Sequence, residues 1–239
     1  MLNGKRILAL VPARGGSKGL PGKNIKPIQN KPLICWTVDS ARKSQYIDEL
    51  FISTDSEKIA DVCKQYNVEV PFLRPSELAQ DDTSSVDVML YTLDLLESKG
   101  KAFDYLLLLE PTSPLRDDAD LDNIIKLAIE HPGADGVISV GQVHTEHPML
   151  IKKIGSNGFL CPYMESHKQL FQRQQEDEAL FPYGVGYLVK VDRFRHSKTI
   201  YMDNMVPYLI QRWQNFEIDD IYDFVCIESI IKWRELENG

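Results

Sequence analysis

Positive charge, paired cysteines and long apolar runs are all scarce in this sequence of 239 residues. It has 27 lysines and arginines against 35 aspartates and glutamates, so the formal net charge is −8. A chain without basic runs is a poor candidate for sequence-independent nucleic-acid binding, which depends on clustered Lys and Arg. We therefore expect no nucleic-acid partner, and we expect any anionic ligand at a local positive site.

The four cysteines are widely scattered, without a CxxC pair or a neighbouring histidine cluster. This pattern predicts free, buried thiols in a reducing compartment. The apolar stretch near the start, residues 7–11, is too short for the core of a signal peptide and is typical of a strand. No stretch reaches the ~18 apolar residues of a membrane span. We therefore expect no membrane association and a cytoplasmic location.

What the sequence does contain is a regular alternation of strand and helix patterns over its first 140 residues. This alternation predicts an α/β fold in which a doubly wound, mostly parallel sheet has helices on both faces. Ligands of such sheets bind beyond the carboxyl ends of the strands. The predicted strands are 6–11, 50–54, 68–73, 105–109 and 136–140, and the predicted helices are 32–43, 56–66, 84–99 and 119–130.

After about residue 140 the pattern changes. Residues 149–163 predict a β-hairpin that turns at Ser156, Asn157 and Gly158. The next stretch, 164–182, is polar and rich in Gln and Glu. It is either an arm that packs on another subunit or a solvated loop with a short helix, and typical loop lengths favour neither. Strands at 186–191 and 206–210 and a helix at 220–236 complete one predicted domain over 1–239.

The strongest local signal is PARGGSKGLPGKN, residues 12–24, directly after the first predicted strand. Its four glycines let the backbone approach an anion and adopt positive φ, and exposed N–H groups in such a loop bind anions. Arg14, Lys18 and Lys23 add three cations to an otherwise acidic chain. The loop therefore has the charge and the donors that a triphosphate needs. It is neither a Walker A loop nor GxGxxG, and a flexible surface turn is the alternative.

With four further segments, this loop resembles the CMP-sialic acid (acylneuraminate) synthetase family of cytidylyltransferases. The resemblance runs from about residue 7 to residue 223. It implies a Rossmann-like nucleotidyltransferase fold, CTP as a substrate and a homodimer, with residues 141–185 as an inserted dimerisation arm of β-hairpin and helix. The further segments are Ser53-Thr54-Asp55, LRPSELA at 73–79, PTSPLR at 111–116 and EIDD at 217–220.

The resemblance also implies a role for each matching residue. The implied nucleotide-binding residues are Ala13, Arg14, Gly15, Lys18, Lys23, Asn24, Arg74, Thr83 and Ser85, of which the last three line the cytosine pocket. The implied sugar-binding residues are Glu110, Arg173 and Tyr187. The implied ligands of Mg²⁺ are Glu217 and Asp219. The implied catalytic residues are Arg14, Lys23 and Asp219.

The residues themselves give separate support to the acidic pair. Two carboxylates two residues apart in an extended segment point the same way, and oxygen ligands suit Mg²⁺. The alternative is that Asp219 or Asp220 caps the following helix, since acidic groups are favoured at a helix N-terminus.

The chain departs from the sialic acid enzymes at positions 110 and 217, where they usually carry glutamine and aspartate and this chain carries Glu110 and Glu217. FPYGV at 181–185 also replaces a segment that often reads RPNGA. We expect a nine-carbon 2-keto acidic sugar of the sialic, legionaminic or pseudaminic type to be joined to CTP, giving CMP-sugar and pyrophosphate. The alternatives are another acceptor, such as a Kdo-like sugar or a phosphonate, and a non-catalytic nucleotide-binding homologue.

Overall fold

A computed structural model describes residues 2–164 and 178–238. The strands in these residues are β1 (Ile7–Pro12), β2 (Pro27–Ile28), β3 (Lys31–Pro32), β4 (Glu49–Ser53), β5 (Tyr105–Leu108), β6 (Gly136–Gln142), β7 (Lys152–Ile154), β8 (Leu160–Pro162), β9 (Leu180–Lys190) and β10 (Met205–Leu209). The helices are α1 (Leu33–Lys43), α2 (Glu57–Gln65), α3 (Ser85–Glu97), α4 (Asp120–Glu130), α5 (Val191–Ser197) and α6 (Ile221–Asn238). Short 3₁₀ helices lie at Lys23–Ile25, Ser76–Leu78 and Arg212–Gln214.

The central sheet of the described residues has six strands in the order β10-β6-β9-β5-β1-β4. Strand β1 runs parallel to β4 and β5, and β10 runs parallel to β6. Strand β9 is antiparallel to both of its neighbours, β5 and β6. The predicted α/β class with a mostly parallel sheet is confirmed. The reversed strand was not predicted, because strand direction depends on the path of the connections rather than on the residues of the strand.

Strand β1 illustrates why helices cover both faces of this sheet. Its side chains alternate between the two faces, and Ile7 through Val11 are fully buried. Ile7 and Ala9 pack in a cluster with residues of α1, α2 and α4. Leu8 and Leu10 face the other way, towards residues of α3 and α5. A strand buried on both faces reads as a continuous apolar run, and this pattern made β1 and β5 recognisable in the sequence.

The predicted strand at 68–73 is wrong, because these residues form no strand. Val68 is buried, but Phe72 and Leu73 are 39% and 43% exposed. Just after the segment, the Arg74 N–H donates to the Thr54 carbonyl at 2.7 Å, near the end of edge strand β4. The segment is thus tied to the sheet near its end and does not pair with β4 along its length.

The predicted helix starts and the predicted hairpin are confirmed. The Ser56 and Ser84 hydroxyls accept hydrogen bonds from the N–H groups of Ile59 and Asp87, and so cap α2 and α3. Strands β7 and β8 pair antiparallel around a turn in which Gly158 has φ 79°. Helix α5 was not predicted, since its seven residues carry too little periodicity to recognise.

Both ends of the predicted arm, 141–185, belong to the central sheet. Gly141 pairs with Phe181 and Gln142 with Leu180 across β6 and β9. The described residues of the arm that lie outside the central sheet are therefore 143–164 and 178–179. The role of the arm in dimerisation stays a prediction. Among the described helices, none is both long and apolar enough to cross a membrane.

Candidate active site

A cleft of about 500 Å³ lies at the carboxyl ends of β1 and β5. The glycine-rich loop after β1, the segment after β5 and the segment before α6 all contribute to its walls. The carboxyl ends of parallel strands meet at one edge of a sheet, so distant parts of the sequence converge there. The sequence-predicted site residues that line the cleft are Arg14, Lys18, Lys23, Asn24, Arg74, Thr83, Ser85, Glu110, Glu217 and Asp219.

Three sequence-predicted site residues within the described part of the chain do not line this cleft. Ala13 is fully buried, and its N–H donates to the Ser53 carbonyl at 2.9 Å. The Gly15 N–H donates to Asp55 Oδ1 at 2.9 Å, and Gly15 lines a smaller neighbouring cavity. Tyr187 is buried in a core cluster. Arg173 lies outside the described residues.

The glycines of the 12–24 loop serve different geometric needs. Gly22 alone among the four has positive φ, at 69°. Gly19 instead allows close packing, because a Cβ added there would lie 2.3 Å from the Asp219 carbonyl oxygen. At Gly16 an added Cβ would meet nothing within 4 Å. The expectation of positive φ therefore holds at one position, and close approach to the acidic segment explains another.

Lys23 joins the cationic loop directly to the acidic segment. Its ammonium donates to the Ile218 carbonyl at 2.8 Å and lies 3.5 Å from Asp219 Oδ1. The Asn24 side-chain amide donates to the Arg14 carbonyl at 3.0 Å and fixes the other side of the loop. Cations and carboxylates thus share one cavity, as the sequence reasoning required.

Arg74 presents a buried guanidinium to the cleft. The residue is 6% exposed, and its Nη2 lies 3.8 Å from Asp55 Oδ1. Its Nε has no hydrogen-bond partner among the described residues. Burial lowers the pKa of Arg74, and the charge of Asp55 opposes that shift. A buried donor without an acceptor is unfavourable, so this side chain is suited to a ligand that brings acceptor atoms.

On the opposite wall, Glu217 is held by two donors. The Ser113 hydroxyl and the Gly184 N–H both donate to Glu217 Oε1, at 2.7 and 2.5 Å. Sequence reasoning missed Ser113 and Gly184 as positioning residues. The PTSPLR match pointed to the segment that contains Ser113, but no local signal paired it with residue 217.

Of the two aspartates that could cap the last helix, Asp220 does so, and Asp219 is left for another role. Asp220 Oδ1 accepts hydrogen bonds from the N–H groups of Tyr222 and Asp223 and so caps α6. The Asp219 side chain is 90% exposed and lines the cleft. Within the described residues, no three His, Cys, Asp or Glu side chains could hold a metal on their own. Mg²⁺ is commonly held by one or two carboxylates together with substrate phosphates, so the pair fits this ion.

Glu110 makes this wall more acidic. It follows β5, and burial and the nearby charge of Glu217 raise its pKa to about 7, against its ordinary value of 4.5. Arg116 and Lys23 pull the pKa of Glu110 in the other direction. Glu110 therefore changes its charge near neutral pH in the unliganded cleft.

Arg116 anchors the backbone behind this wall. Its Nη2 donates to the carbonyls of Glu110 and Gly184 at 2.9 and 2.7 Å, and its Nε donates to the Val185 carbonyl at 2.8 Å. Its Nη1 donates to the Thr37 hydroxyl at 2.8 Å. Burial lowers the pKa of Arg116 to about 10. These four hydrogen bonds hold β9 against the end of β5, and so set where Glu110 and Gly184 lie.

Comparison with known proteins assigns the chain to a family. A cytidylyltransferase family model matches residues 8–230. The chain belongs to the cytidylyltransferase family. It is 31% identical over 232 residues to CMP-N,N'-diacetyllegionaminic acid synthase of Legionella pneumophila, covering 96% of this chain and 98% of the relative.

A second relative of this cytidylyltransferase is the N-acylneuraminate cytidylyltransferase of Escherichia coli O18:K1:H7. The two are 27% identical over 92% of this chain, and the match spans about half, 50%, of the relative's length. Among solved structures, CMP:2-keto-3-deoxy-manno-octonic acid synthetase complexed with CTP superposes with a TM-score of 0.72. The match covers 96% of this chain and 99% of that one at 13% identity, which shows a shared fold.

Proposed function

We propose that this cytidylyltransferase transfers CMP from CTP to a nine-carbon 2-keto acidic sugar and releases pyrophosphate. The relatives named for legionaminic and N-acylneuraminic acids support this acceptor class. One observation carries the proposal: Arg14 and Lys23 share a single cleft with Glu217 and Asp219. A metal–triphosphate substrate needs both kinds of group within one site.

The reaction forms one bond and breaks another. The anomeric hydroxyl oxygen of the sugar attacks the α-phosphorus of CTP, and the bond from that phosphorus to the bridging oxygen of the β-phosphate breaks. The hydroxyl proton passes to solvent water, and pyrophosphate leaves with the electron pair of the broken P–O bond. Arg14, Lys18 and Lys23 bind the phosphates and stabilise the negative charge that develops on the leaving group. Most of the acceleration comes from positioning and charge stabilisation.

Arg74, Thr83 and Ser85 contact the cytosine in this proposal. Support comes from the free Nε of the buried Arg74 and from the position of the other two beside it in the cleft. Hydroxyl groups and a guanidinium fork offer directed hydrogen bonds, and these distinguish one base from another. Asn24 completes the nucleotide contacts at the glycine-rich loop.

Glu217 and Asp219 hold Mg²⁺ in this proposal. When bound, the ion draws negative charge from the α-phosphate and helps the sugar hydroxyl to ionise. The Ser113 hydroxyl and the Gly184 N–H occupy Glu217 Oε1, so Glu217 keeps its other oxygen for a ligand. Lys23 neutralises part of the charge on Asp219 from 3.5 Å.

For the acceptor we propose a relative of sialic acid with an additional acylamino group and a deoxy terminus, of the legionaminic or pseudaminic type. Glu110 supports this choice, because a carboxylate at the cleft floor changes which sugar substituents can bind. Arg173, which lies outside the described residues, is another proposed sugar contact, whereas the burial of Tyr187 in the core does not support a direct contact from that side chain. The 31% identity to a protein named for diacetyllegionaminic acid gives independent support.

We further propose a homodimer in the cytoplasm. The β7–β8 hairpin leaves Ile154, Phe159 and Leu160 77%, 72% and 73% exposed, and contiguous exposed apolar groups mark partner surfaces. A second copy covering the hairpin would bury these apolar side chains, and it is the partner that we propose. The four cysteines are free thiols, which is typical of reducing compartments; the predicted burial holds for Cys35 and Cys63 and is wrong for Cys161 and Cys226.

The test is to incubate the purified chain with Mg²⁺, each of the four nucleoside triphosphates and a panel of acidic sugars. Of the four nucleoside triphosphates, we expect only CTP to release pyrophosphate. The product should have the mass of a CMP adduct of a legionaminic- or pseudaminic-type acid. A clear preference for N-acetylneuraminic acid would reject the proposed substituent pattern. A Kdo adduct would reject the nine-carbon class. CTP binding without pyrophosphate release for any acceptor would indicate a non-catalytic homologue.

A further inference from the structure

An acidic side chain already lies against the cations of the nucleotide cleft. Asp81 Oδ1 accepts a hydrogen bond from Arg14 Nη1 at 2.9 Å, and its Oδ2 lies 2.6 Å from Lys18 Nζ. Arg14 Nη1 also donates to the Gln80 carbonyl at 3.1 Å. One carboxylate thus bridges two of the three cations of the glycine-rich loop, in the same cleft as Lys23 and Glu217.

Asp81 lies in a loop that is bonded to itself independently of these cations. This loop begins in the 3₁₀ helix Ser76–Leu78 and ends at the cap of α3. The Gln80 side-chain amide donates to the Ser76 carbonyl at 2.8 Å, and the Thr83 hydroxyl donates to the Glu77 carbonyl at 3.3 Å. These two bonds do not involve Arg14 or Lys18, so a turn of those cations to another anion would break only the bonds to Asp81 and to the Gln80 carbonyl.

We propose that Asp81 occupies the phosphate-binding cations in the free protein, and that the triphosphate must displace it. This inference rests on the proposed function, since it takes a triphosphate as the ligand of Arg14 and Lys18. The two carboxylate oxygens of Asp81 imitate two oxygens of a phosphate group. Arg14 donates to one of them and Lys18 to the other. Asp81 is thus an internal competitor that lowers the affinity for CTP and for pyrophosphate.

The charges decide which anion prevails. A carboxylate carries one negative charge, whereas a triphosphate carries about four and offers more oxygens, so the triphosphate displaces Asp81. Asp81 is half-exposed, and exposed ion pairs contribute little each. The competition therefore reduces affinity modestly, and after transfer it helps pyrophosphate to leave because Asp81 returns to the cations.

The test compares two neighbouring substitutions with the same change of charge. D81N removes the carboxylate that contacts the cations, and D82N removes one formal charge at the adjacent exposed position, which does not line the cleft. Binding of CTP, pyrophosphate and cytidine to the full chain is measured by calorimetry at fixed ionic strength. Circular dichroism checks that each variant is folded.

We expect D81N to bind CTP and pyrophosphate on the order of three- to tenfold more tightly than the wild type. D82N should change either affinity by less than about twofold, and cytidine should bind all three proteins alike. Equal effects of D81N and D82N, or weaker CTP binding by D81N, would overturn the inference. If the wild type binds CTP, pyrophosphate and cytidine but D81N binds CTP and pyrophosphate no more tightly, the inference about Asp81 fails and the proposed function stands. If the wild type binds neither CTP nor pyrophosphate, the proposed function fails with it.

Discussion

The nucleotide cleft and the β7–β8 hairpin differ in where their side chains find partners. In the cleft, Lys23 and Glu217 contact groups of the same chain. On the hairpin, Phe159 and Leu160 are 72% and 73% exposed. The contrast is consistent with our two proposals: that one chain forms the CTP site, and that a second copy covers the hairpin and completes the sugar site.

The largest effect is expected from a substitution in the cleft itself. Lys23→Ala removes the cation nearest Asp219 and should lower kcat/KM for CTP by on the order of 10³-fold, since it removes charge stabilisation of the leaving group. Steady-state pyrophosphate release measures the loss. Lys64→Ala, on an exposed face of α2, is the matched control and should retain activity. Near-normal turnover by a folded Lys23→Ala protein would contradict the proposed role.

The second prediction concerns two substitutions on the surface of the hairpin that leave the cleft unchanged. Phe159→Lys together with Leu160→Lys should turn a dimer into a monomer in sedimentation velocity. Turnover should fall by on the order of a hundredfold if the partner subunit completes the sugar site as proposed, since the acceptor would then lose part of its binding site. CTP affinity should stay within about twofold, because one chain forms the described cleft.

Leu209→Lys provides the matched control for the hairpin. Leu209 is also a large apolar side chain, 61% exposed, but it lies on edge strand β10. The Leu209→Lys substitution should leave both the sedimentation coefficient and the turnover unchanged. A monomeric wild type with full activity would remove the distinction between the two regions.

The third prediction concerns the contact that brings the loop to the acidic segment. Gly19→Ala introduces a Cβ about 2.3 Å from the Asp219 carbonyl oxygen, so the loop and Asp219 must separate. We expect kcat/KM to fall roughly thirtyfold to a hundredfold, since displacements near 1 Å in a catalytic site have effects of that size. Gly16→Ala meets no neighbour and should retain activity. Equal activities for the two variants would argue against this contact.

The smallest expected effect is on stability. Glu110 has a folded-state pKa of about 7, above its ordinary 4.5. The stability that the neutral form contributes is fully present below pH 4.5 and is lost as the pH rises through 7. Glu110→Gln should therefore be more stable than the wild type at pH 8 by on the order of 2 kcal/mol, and equally stable near pH 4.5.

Urea unfolding in the presence of EDTA measures this difference, because bound metal ions would change the charge on Glu110. Glu69→Gln, at an exposed position, is the control and should follow the wild type at both pH values. A Glu110→Gln protein whose stability parallels the wild type across this pH range would show that folding does not raise the pKa of Glu110.

The sequence predicted local features well where one residue pattern determined them. Ser56 and Ser84 marked the starts of helices, and the apolar run after residue 104 marked a buried strand. The antiparallel direction of β9 depends on a long connection and left no local pattern. The apolar run at 68–73 was misleading, since burial of Val68 alone does not make a strand.

The candidate site shows the same division. The resemblance to the family identified ten of the residues that line the cleft, including Arg74 and Asp219. They did not identify Asp81, Ser113 or Gly184, because the contacts of these residues join segments that are far apart in the sequence. Such pairings become visible only when the strand ends are brought together.

The most direct test of the account is a crystal structure of the chain with CTP and Mn²⁺, in which anomalous scattering locates the metal. We expect the triphosphate on Arg14 and Lys23 and the metal on Glu217 and Asp219, within the cleft at the end of β1. A triphosphate bound elsewhere would contradict the central claim. The described residues also form a second cavity of about 510 Å³, lined by Lys31, Trp36 and Arg234 among others. A triphosphate bound in that cavity would be such a contradiction.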